Sequence, residues 1–215
     1  MATHDCLRIR RGGVLLLAAA LLLPAGCSLK QAAPVKQTYL LEAKRAAGGR
    51  SPAPIGPVLR VRGLRVNAPF DGRAFVYRVG DLQYATDFYH EFLVPPRTVL
   101  TEQIRQWLDA SQLFGSPNAA GSKEAGLVLE GSVNALYGDY REKSAPKAVL
   151  ETQVTIAPAT ETSGAGGVFF QRSYRREVAL KEANPDALAA GWNLALEQIL
   201  GALETDLKQV QWAGP

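Results

Sequence analysis

The chain has 215 residues, of which 47% are apolar and 20% are charged, a composition typical of globular proteins. Its formal net charge is +4, but outside the first 26 residues the 21 basic and 19 acidic side chains nearly cancel. This balance excludes the strongly basic surface of a nucleic-acid-binding domain, and we expect no nucleic-acid partner.

The N-terminus has the pattern of a secretory signal. Three arginines between positions 8 and 11 precede an apolar run over residues 14–23, and the small residues Ala25 and Gly26 follow. A basic start, a short apolar run and small residues are typical of a signal peptide, whereas a membrane span needs about 20 apolar residues. We therefore predict a signal peptide over residues 1–26.

The end of the signal resembles the lipobox of bacterial lipoproteins. The segment Leu23-Pro24-Ala25-Gly26-Cys27 places a cysteine directly after the apolar run. In that family the sulfur receives a diacylglycerol and the chain is cut before the cysteine. The alternative is a plain secretory signal with an incidental cysteine. The resemblance implies that Cys27 is lipidated and bound to the membrane by its acyl chains, and Ser28 in place of aspartate favours the periplasmic face of the outer membrane over the inner membrane.

The mature chain begins with a predicted tether and then alternates strand and helix patterns. Residues 27–37 form the lipidated cysteine and a flexible tether, and the domain covers 38–212. Strands are expected at 39–42, 58–66, 74–79 and 82–84, with a Gly/Pro-rich loop at 43–57 and a turn at 67–72.

Two helices and three further strands follow. Apolar residues at helical spacing predict a helix capped by Thr98 and stopped by Gly115, and period-two patterns predict strands at 127–140, 148–157 and 168–180. These three strands form an antiparallel meander, with a hairpin tip at 161–167. Asn184 and Pro185 start a last helix that extends to about residue 210, and Gly201 within it indicates close packing.

These elements predict an α/β (α+β) domain. A mixed, largely antiparallel sheet of six or seven strands carries two amphipathic helices on one face. The other face of the sheet remains open to solvent or to a partner.

The sequence carries no recognisable catalytic or metal-binding motif. It has no HExxH, CxxC, GxSxG or phosphate-loop pattern, and His90 is the only histidine that remains after cleavage before Cys27. Cys27 is then also the only cysteine, so an intrachain disulfide is excluded. We expect a protein that is not an enzyme and that uses neither a metal nor a cofactor.

Two sets of side chains are candidates for binding. The first is an aromatic cluster, which belongs either to the core or to a partner-binding surface. Its members are Tyr84, Phe88, Tyr89 and Phe92. The second consists of arginines on two strands, either on solvated sheet faces or in contacts with subunits or lipid headgroups. Its members are Arg60, Arg62, Arg65, Arg172, Arg175 and Arg176.

From the lipobox to residue 210, the chain resembles the ABC-type transport auxiliary lipoproteins, the PqiC-like group. The likeness rests on VLRVRGLRVNAPFDGRAFVYR (58–78), on YATDFYHEFLVPPRTVLTEQIRQWLDASQLF (84–114) and on the long final helix. Relatives often carry a tryptophan where this chain has Phe92, which leaves no specific role assigned to that position.

The resemblance implies a membrane-anchored, non-enzymatic component of an ABC/MCE transport system that moves lipids between the inner and outer membranes. Its partners would be the permease and ATPase of the transporter and an MCE-domain protein, and a homo-oligomer is compatible with it. The alternatives are a carrier lipoprotein with a closed apolar cavity for a lipid, and an envelope hydrolase built around His90.

Overall fold

The computed structural model describes residues 35–45, 51, 53–115, 117, 125–159 and 167–212. The predicted signal peptide, Cys27 and most of the tether lie outside these residues, as does the predicted hairpin tip except Gly167. The described residues form nine strands, a 3₁₀ turn at Ala68–Phe70 and two long helices. The strands are β1 Gln37–Tyr39, β2 Gly56–Val61, β3 Arg65–Val66, β4 Ala74–Arg78, β5 Tyr84–Phe92, β6 Phe114–Gly115, β7 Leu127–Asp139, β8 Lys147–Pro158 and β9 Phe170–Ala179. The helices are α1 Pro96–Ser111 and α2 Pro185–Leu207.

The sheet is organised around β7, its longest strand. β7, β8 and β9 form the predicted antiparallel meander. Along the other flank of β7, the short strands β2, β3 and β4 pair with it one after another, each in parallel. β5 then pairs antiparallel with β4, β1 pairs parallel with β5, and β6 pairs parallel with β2. The α/β class with a mixed sheet and two helices is confirmed.

Several predicted boundaries in the first half of the chain are wrong. The strand expected at 39–42 is β1 at 37–39, and Leu41 packs into the core just beyond it. The strand expected at 58–66 is two strands, and β2 begins inside the predicted loop at 43–57. Of the short strand expected at 82–84, only Tyr84 lies in a strand, where it begins the nine-residue β5, and Leu82 and Gln83 belong to the turn before it. With these added strands, the described sheet has nine strands instead of six or seven.

The prediction of helix α1 is wrong at both ends. The helix is preceded by Pro95 and starts at Pro96, which suits the first turn because that turn does not use the amide hydrogen that proline lacks. It ends at Ser111, four residues before Gly115, and the next residue, Gln112, takes a left-handed conformation with φ 55°. The predicted apolar face is confirmed, since Leu100, Ile104, Trp107 and Leu108 are all buried.

Helix α2 starts as predicted and supplies much of the core. The Asn184 side chain caps it by accepting a hydrogen bond from the amide of Ala187 at 2.8 Å, and Pro185 occupies the first turn. Seven residues of the predicted stripe are buried, and the helix ends at Leu207 instead of about 210. The buried residues of this stripe are Leu188, Trp192, Ala195, Leu196, Ile199, Leu203 and Leu207.

The expectation for Gly201 is also wrong, because Gly191 is the glycine at which α2 packs closely on the sheet. A Cβ atom added at Gly201 would meet nothing within 4 Å. A Cβ at Gly191 would lie 2.6 Å from Leu180 Cδ2 and 2.7 Å from Ala148 Cβ. The absence of a side chain at Gly191 therefore sets the distance between α2 and β8.

These two glycines make a matched pair for substitution. We expect Gly191→Ala to lower the free energy of unfolding by about 1–3 kcal/mol through overpacking. Gly201→Ala should raise it by up to about 1 kcal/mol, because alanine favours the helix and nothing obstructs its methyl group. Urea denaturation of both variants beside the wild type measures the difference, and equal effects of the two substitutions would contradict this account of the packing.

Candidate functional site

Exposed apolar side chains concentrate in the hairpin formed by β4, the turn at residues 79–83 and β5, which we call the edge hairpin (residues 74–92). Among the described residues, twelve large apolar side chains are exposed, and five of them lie in this hairpin. They are Val79, Leu82, Tyr84, Phe88 and Tyr89. Contiguous exposed apolar side chains are a common mark of an interaction surface.

The outer side of β5 is only partly covered by another strand. Within the described part of the chain, β1 pairs with the last three residues of β5, from His90 to Phe92. Residues 84–86 pair with β4 on their inner side, and residues 87–89 lie in a register irregularity of that pairing. An uncovered strand edge presents free amide and carbonyl groups, which another strand can pair with.

The predicted aromatic cluster divides between the core and the surface. Phe92 is buried, and its ring lies 4.8 Å from that of Phe75 and 5.2 Å from that of Trp192. Phe88 is 77% exposed, and Tyr84 and Tyr89 are also exposed. Of the four residues, only Phe92 therefore belongs to the core, and the side chains of Tyr84, Phe88 and Tyr89 are accessible to a partner.

Asp87 fixes the local shape of β5. Its Oδ1 accepts hydrogen bonds from the amides of Tyr89 and His90 at 2.8 and 3.0 Å, and its Oδ2 accepts one from the Tyr77 hydroxyl at 2.7 Å. Burial raises the pKa of Asp87, but these bonds and the one to His90 outweigh it, so that the pKa is lowered. The ionised carboxylate holds the strand in a bend that leaves Phe88 outside.

The described chain enters the domain beside this exposed strand. Lys36 Nζ lies 2.7 Å from Glu91 Oε2 and 5.9 Å from the centroid of the Phe88 ring. Arg73 binds the other oxygen of Glu91 at 2.8 Å. These contacts connect the end of the predicted tether to the exposed part of β5.

The opposite edge of the sheet has a different character. β9 pairs only with β8 among the described strands, and two of its three arginines are held in ion pairs. Arg172 binds Asp206 of α2 at 2.6 Å, and Arg175 binds Glu151 and Glu177 at 2.7 and 2.9 Å. Charged side chains on an edge strand oppose strand addition. Compared with β9, the edge hairpin is therefore the better suited to bind another chain.

His90 lies in a small polar cluster. Its Nδ1 is 2.8 Å from Asp87 Oδ2, and no hydrogen bond joins its Nε2 to any described residue.

A cavity of about 420 Å³ lies elsewhere, between β2 and α1. Both apolar and charged side chains line it, among them Leu59, Arg60 and Asp109. Among the described residues, no group of three or more histidine, cysteine, aspartate or glutamate side chains is arranged to hold a metal ion.

The sequence did not indicate that Leu82 forms the tip of the edge hairpin. It follows Gly80 and Asp81, and a leucine beside these turn residues also fits the start of a strand. The structure places Leu82 in the turn, with 94% of its surface exposed. The only indication of this tip in the sequence was a large aliphatic side chain directly after two turn-forming residues.

Comparisons with solved structures relate the fold to proteins of low sequence identity. Protein XCC0632 from Xanthomonas campestris, of the DUF330 family, matches 80% of this chain and 95% of its own at 16% identity, with a TM-score of 0.64. An uncharacterised protein matches 80% of this chain and 99% of its own at 13% identity, with a TM-score of 0.58. The chain therefore shares the fold of these proteins.

A looser similarity joins the chain to lipoprotein GNA1162 from Neisseria meningitidis, with 13% identity, coverage of 68% and 99%, and a TM-score of 0.28. No family model matches the sequence, and no curated protein matches it. No helix of the described residues is long and apolar enough to cross a membrane.

Proposed function

We propose that this protein is a lipid-anchored, non-enzymatic accessory subunit of an envelope transporter that moves lipids between the inner and outer membranes. Acyl chains on Cys27 hold the domain at the periplasmic face of the outer membrane. The open edge of β5 binds an MCE-domain protein or another subunit of the transporter. The observation that supports this role best is the exposed segment 84–89, whose outer side pairs with no strand in the described part of the chain and which lies beside the point where the tether enters the domain.

Strand addition suits the edge of β5 because the backbone and the side chains contribute separately. Backbone groups on the outer side of residues 84–88 are available to an added strand, whereas the Tyr89 amide is already bonded to Asp87 Oδ1. Exposed aromatic rings at Tyr84, Phe88 and Tyr89 supply the apolar contacts that are enriched at the cores of protein interfaces.

The polar groups of the edge hairpin support a binding role over a catalytic one. Asp87 is bonded to two backbone amides, to Tyr77 and to His90, so its acceptor sites are used to hold the strand in place. A hydrolase that uses a side-chain nucleophile needs that group within hydrogen-bond reach of its base. Among the described residues, no serine, threonine or cysteine forms a hydrogen bond with His90, whose ring is bonded to Asp87.

Photocrosslinking from β5 tests the proposed partner. With a benzophenone amino acid at Phe88, ultraviolet irradiation of intact cells should join the protein to an MCE-domain protein or to the permease or ATPase of its transporter, identified by mass spectrometry. The same amino acid at Ser173, which is exposed on β9, is the matched control. We expect the yield from position 88 to exceed that from position 173 by at least tenfold.

Two results would contradict the proposal. One is a crosslinking yield at Phe88 no higher than at Ser173 while the protein remains folded and membrane-bound. The other is an intact mass of the protein from its native host that shows Cys27 without acyl chains. The second measurement is independent of the edge hairpin, so the anchor and the docking surface are tested separately.

A further inference from the structure

The tip of the edge hairpin has the composition of a membrane-interface contact. Leu82 is 94% exposed at the tip, and Val79 and Tyr84 on either side are each 47% exposed. The Arg78 guanidinium lies 6.0 Å from the centroid of the Tyr84 ring. Aliphatic side chains lie at the tip, and an aromatic ring and a basic group follow further from it. This order matches the layers of a bilayer surface, from acyl chains to headgroups.

The acidic group at the tip does not oppose this arrangement. Asp81 Oδ1 lies 3.1 Å from Arg141 Nη1, and the same guanidinium binds Asp139 at 2.7 Å, so one arginine is shared by two carboxylates. The Arg78 guanidinium donates to the carbonyls of Gly80 and Asp81 and adds a positive charge behind the tip. The charges beside Leu82 therefore nearly cancel, and insertion depends on the exposed apolar side chains.

The direction of β1 sends the preceding chain towards this tip. β1 runs parallel to β5 with Gln37 opposite His90, so the described residues Lys36 and Val35 lie at about the levels of Tyr89 and Phe88. The contact of Lys36 with the Phe88 ring confirms this direction. Val35, the first described residue, is 80% exposed and begins at about the level of Phe88.

Chain lengths allow the anchor and the tip to reach the same bilayer. Six residues separate Phe88 from Leu82, about 20 Å along an extended strand. Eight residues, 27–34, join Cys27 to Val35, and an extended chain of that length spans up to about 28 Å. The acyl chains can therefore lie at the depth of the hairpin tip without moving the domain.

We propose that Leu82 and Val79 insert into the surface of the bilayer to which Cys27 is anchored, an inference that rests on the proposed lipid anchor. The acyl chains supply the affinity, and the tether keeps the hairpin at a high effective concentration near the membrane. The inserted tip then sets the orientation of the domain. β5 stands upright on the membrane, and its open edge faces sideways towards a neighbouring protein.

Fluorescence quenching in vesicles tests the insertion with the full lipidated protein. Cys27 is the only cysteine after cleavage and its sulfur is acylated, so Leu82→Cys supplies one free thiol for the fluorophore NBD. The protein is placed in phosphatidylethanolamine and phosphatidylglycerol vesicles that contain doxyl-labelled lipid. Gly63→Cys is the matched control, because Gly63 is exposed, has open space around it and lies near the middle of β7, far from the tip. We expect doxyl lipid to quench the Leu82 probe at least threefold more than the Gly63 probe.

A second substitution separates insertion from mere proximity. Val79→Asp in the Leu82→Cys background should reduce quenching to the level of the Gly63 probe while the protein stays on the vesicles through its acyl chains. Equal quenching at Leu82 and Gly63 would overturn the inference. So would a Leu82 probe that is shielded from aqueous iodide but insensitive to doxyl lipid, since a second copy or another protein would then cover the tip. The mass of the Cys27 peptide, measured on the same sample, shows whether the proposed anchor has failed instead.

Discussion

Trp192→Ala should lower the free energy of unfolding by about 3–5 kcal/mol, one of the two largest effects that we expect from a single substitution. The Trp192 side chain is fully buried on α2. Its ring meets Phe75 edge-on at a centroid distance of 4.8 Å, and it lies 5.2 Å from Phe92. The substitution would leave a cavity where α2, β4 and β5 meet. Chemical denaturation followed by circular dichroism measures the change.

Leu194→Ala is the control for Trp192→Ala, because Leu194 lies on the same helix and is exposed. It should change stability by less than about 0.5 kcal/mol. A loss below 1 kcal/mol for Trp192→Ala would show that the packed rings of Phe75, Phe92 and Trp192 do not hold the edge hairpin against α2. Phe92 connects these rings to the exposed part of β5, so Trp192→Ala should also weaken the crosslink from Phe88.

The elements that the sequence predicted well are those whose signals are local. Asn184 and Pro185 mark the start of α2 by their own chemistry, and the apolar stripe of the helix repeats over several turns. The strands β7, β8 and β9 are ten to thirteen residues long, and β7 and β8 bury at least half of their residues, so their patterns extend far enough to be recognised. For these elements the boundaries were predicted to within two or three residues.

The short parallel strands could not be predicted because their partners are distant in sequence. β1 exists through its pairing with residues 90–92, and β3 is two residues that pair with the middle of β7. Neither strand has an internal pattern long enough to reveal a period. The same reason explains the underestimated strand number.

The candidate site was only partly visible in the sequence. The four aromatic residues attracted attention by their composition, but which of them are buried depends on the bend at Asp87 and on where β1 ends. The tip at Leu82 depends on a turn that the sequence did not distinguish from a strand. Cys27, by contrast, was predicted from its local motif alone, and that prediction still awaits its test by mass spectrometry.

A buried ion-pair network at Glu204 of α2 should give the second large effect. Arg45 donates to both of its oxygens, at 3.0 and 2.9 Å, and Trp107 of α1 and Lys208 each donate at 2.8 Å. Glu204 is only 7% exposed. The bonds from Arg45, Lys208 and Trp107 outweigh the burial and lower the pKa of Glu204 from 4.5 to about 2. The network holds the start of the domain and both helices together.

We expect Glu204→Gln to lower the free energy of unfolding at pH 7 by about 3 kcal/mol, which corresponds to the pKa difference between the folded and unfolded states. Because the folded state has the lower pKa, the ionised carboxylate stabilises it fully above pH 4.5, and this contribution is lost as the pH falls towards 2. The difference in stability between wild type and Glu204→Gln should therefore be constant above about pH 5.5 and shrink steadily below 4.5.

Urea denaturation at intervals between pH 7 and pH 3 measures this dependence. Glu197→Gln is the control, because Glu197 lies on the same helix and makes no hydrogen bond with a described residue. Its stability difference from wild type should stay near zero throughout that range, even though other carboxylates of the protein titrate within it. A difference at Glu204 that remained constant down to pH 3 would mean that packing, and not the charge of the carboxylate, accounts for the loss. In that case the ion pair with Arg45 would not be what joins the start of the domain to α2.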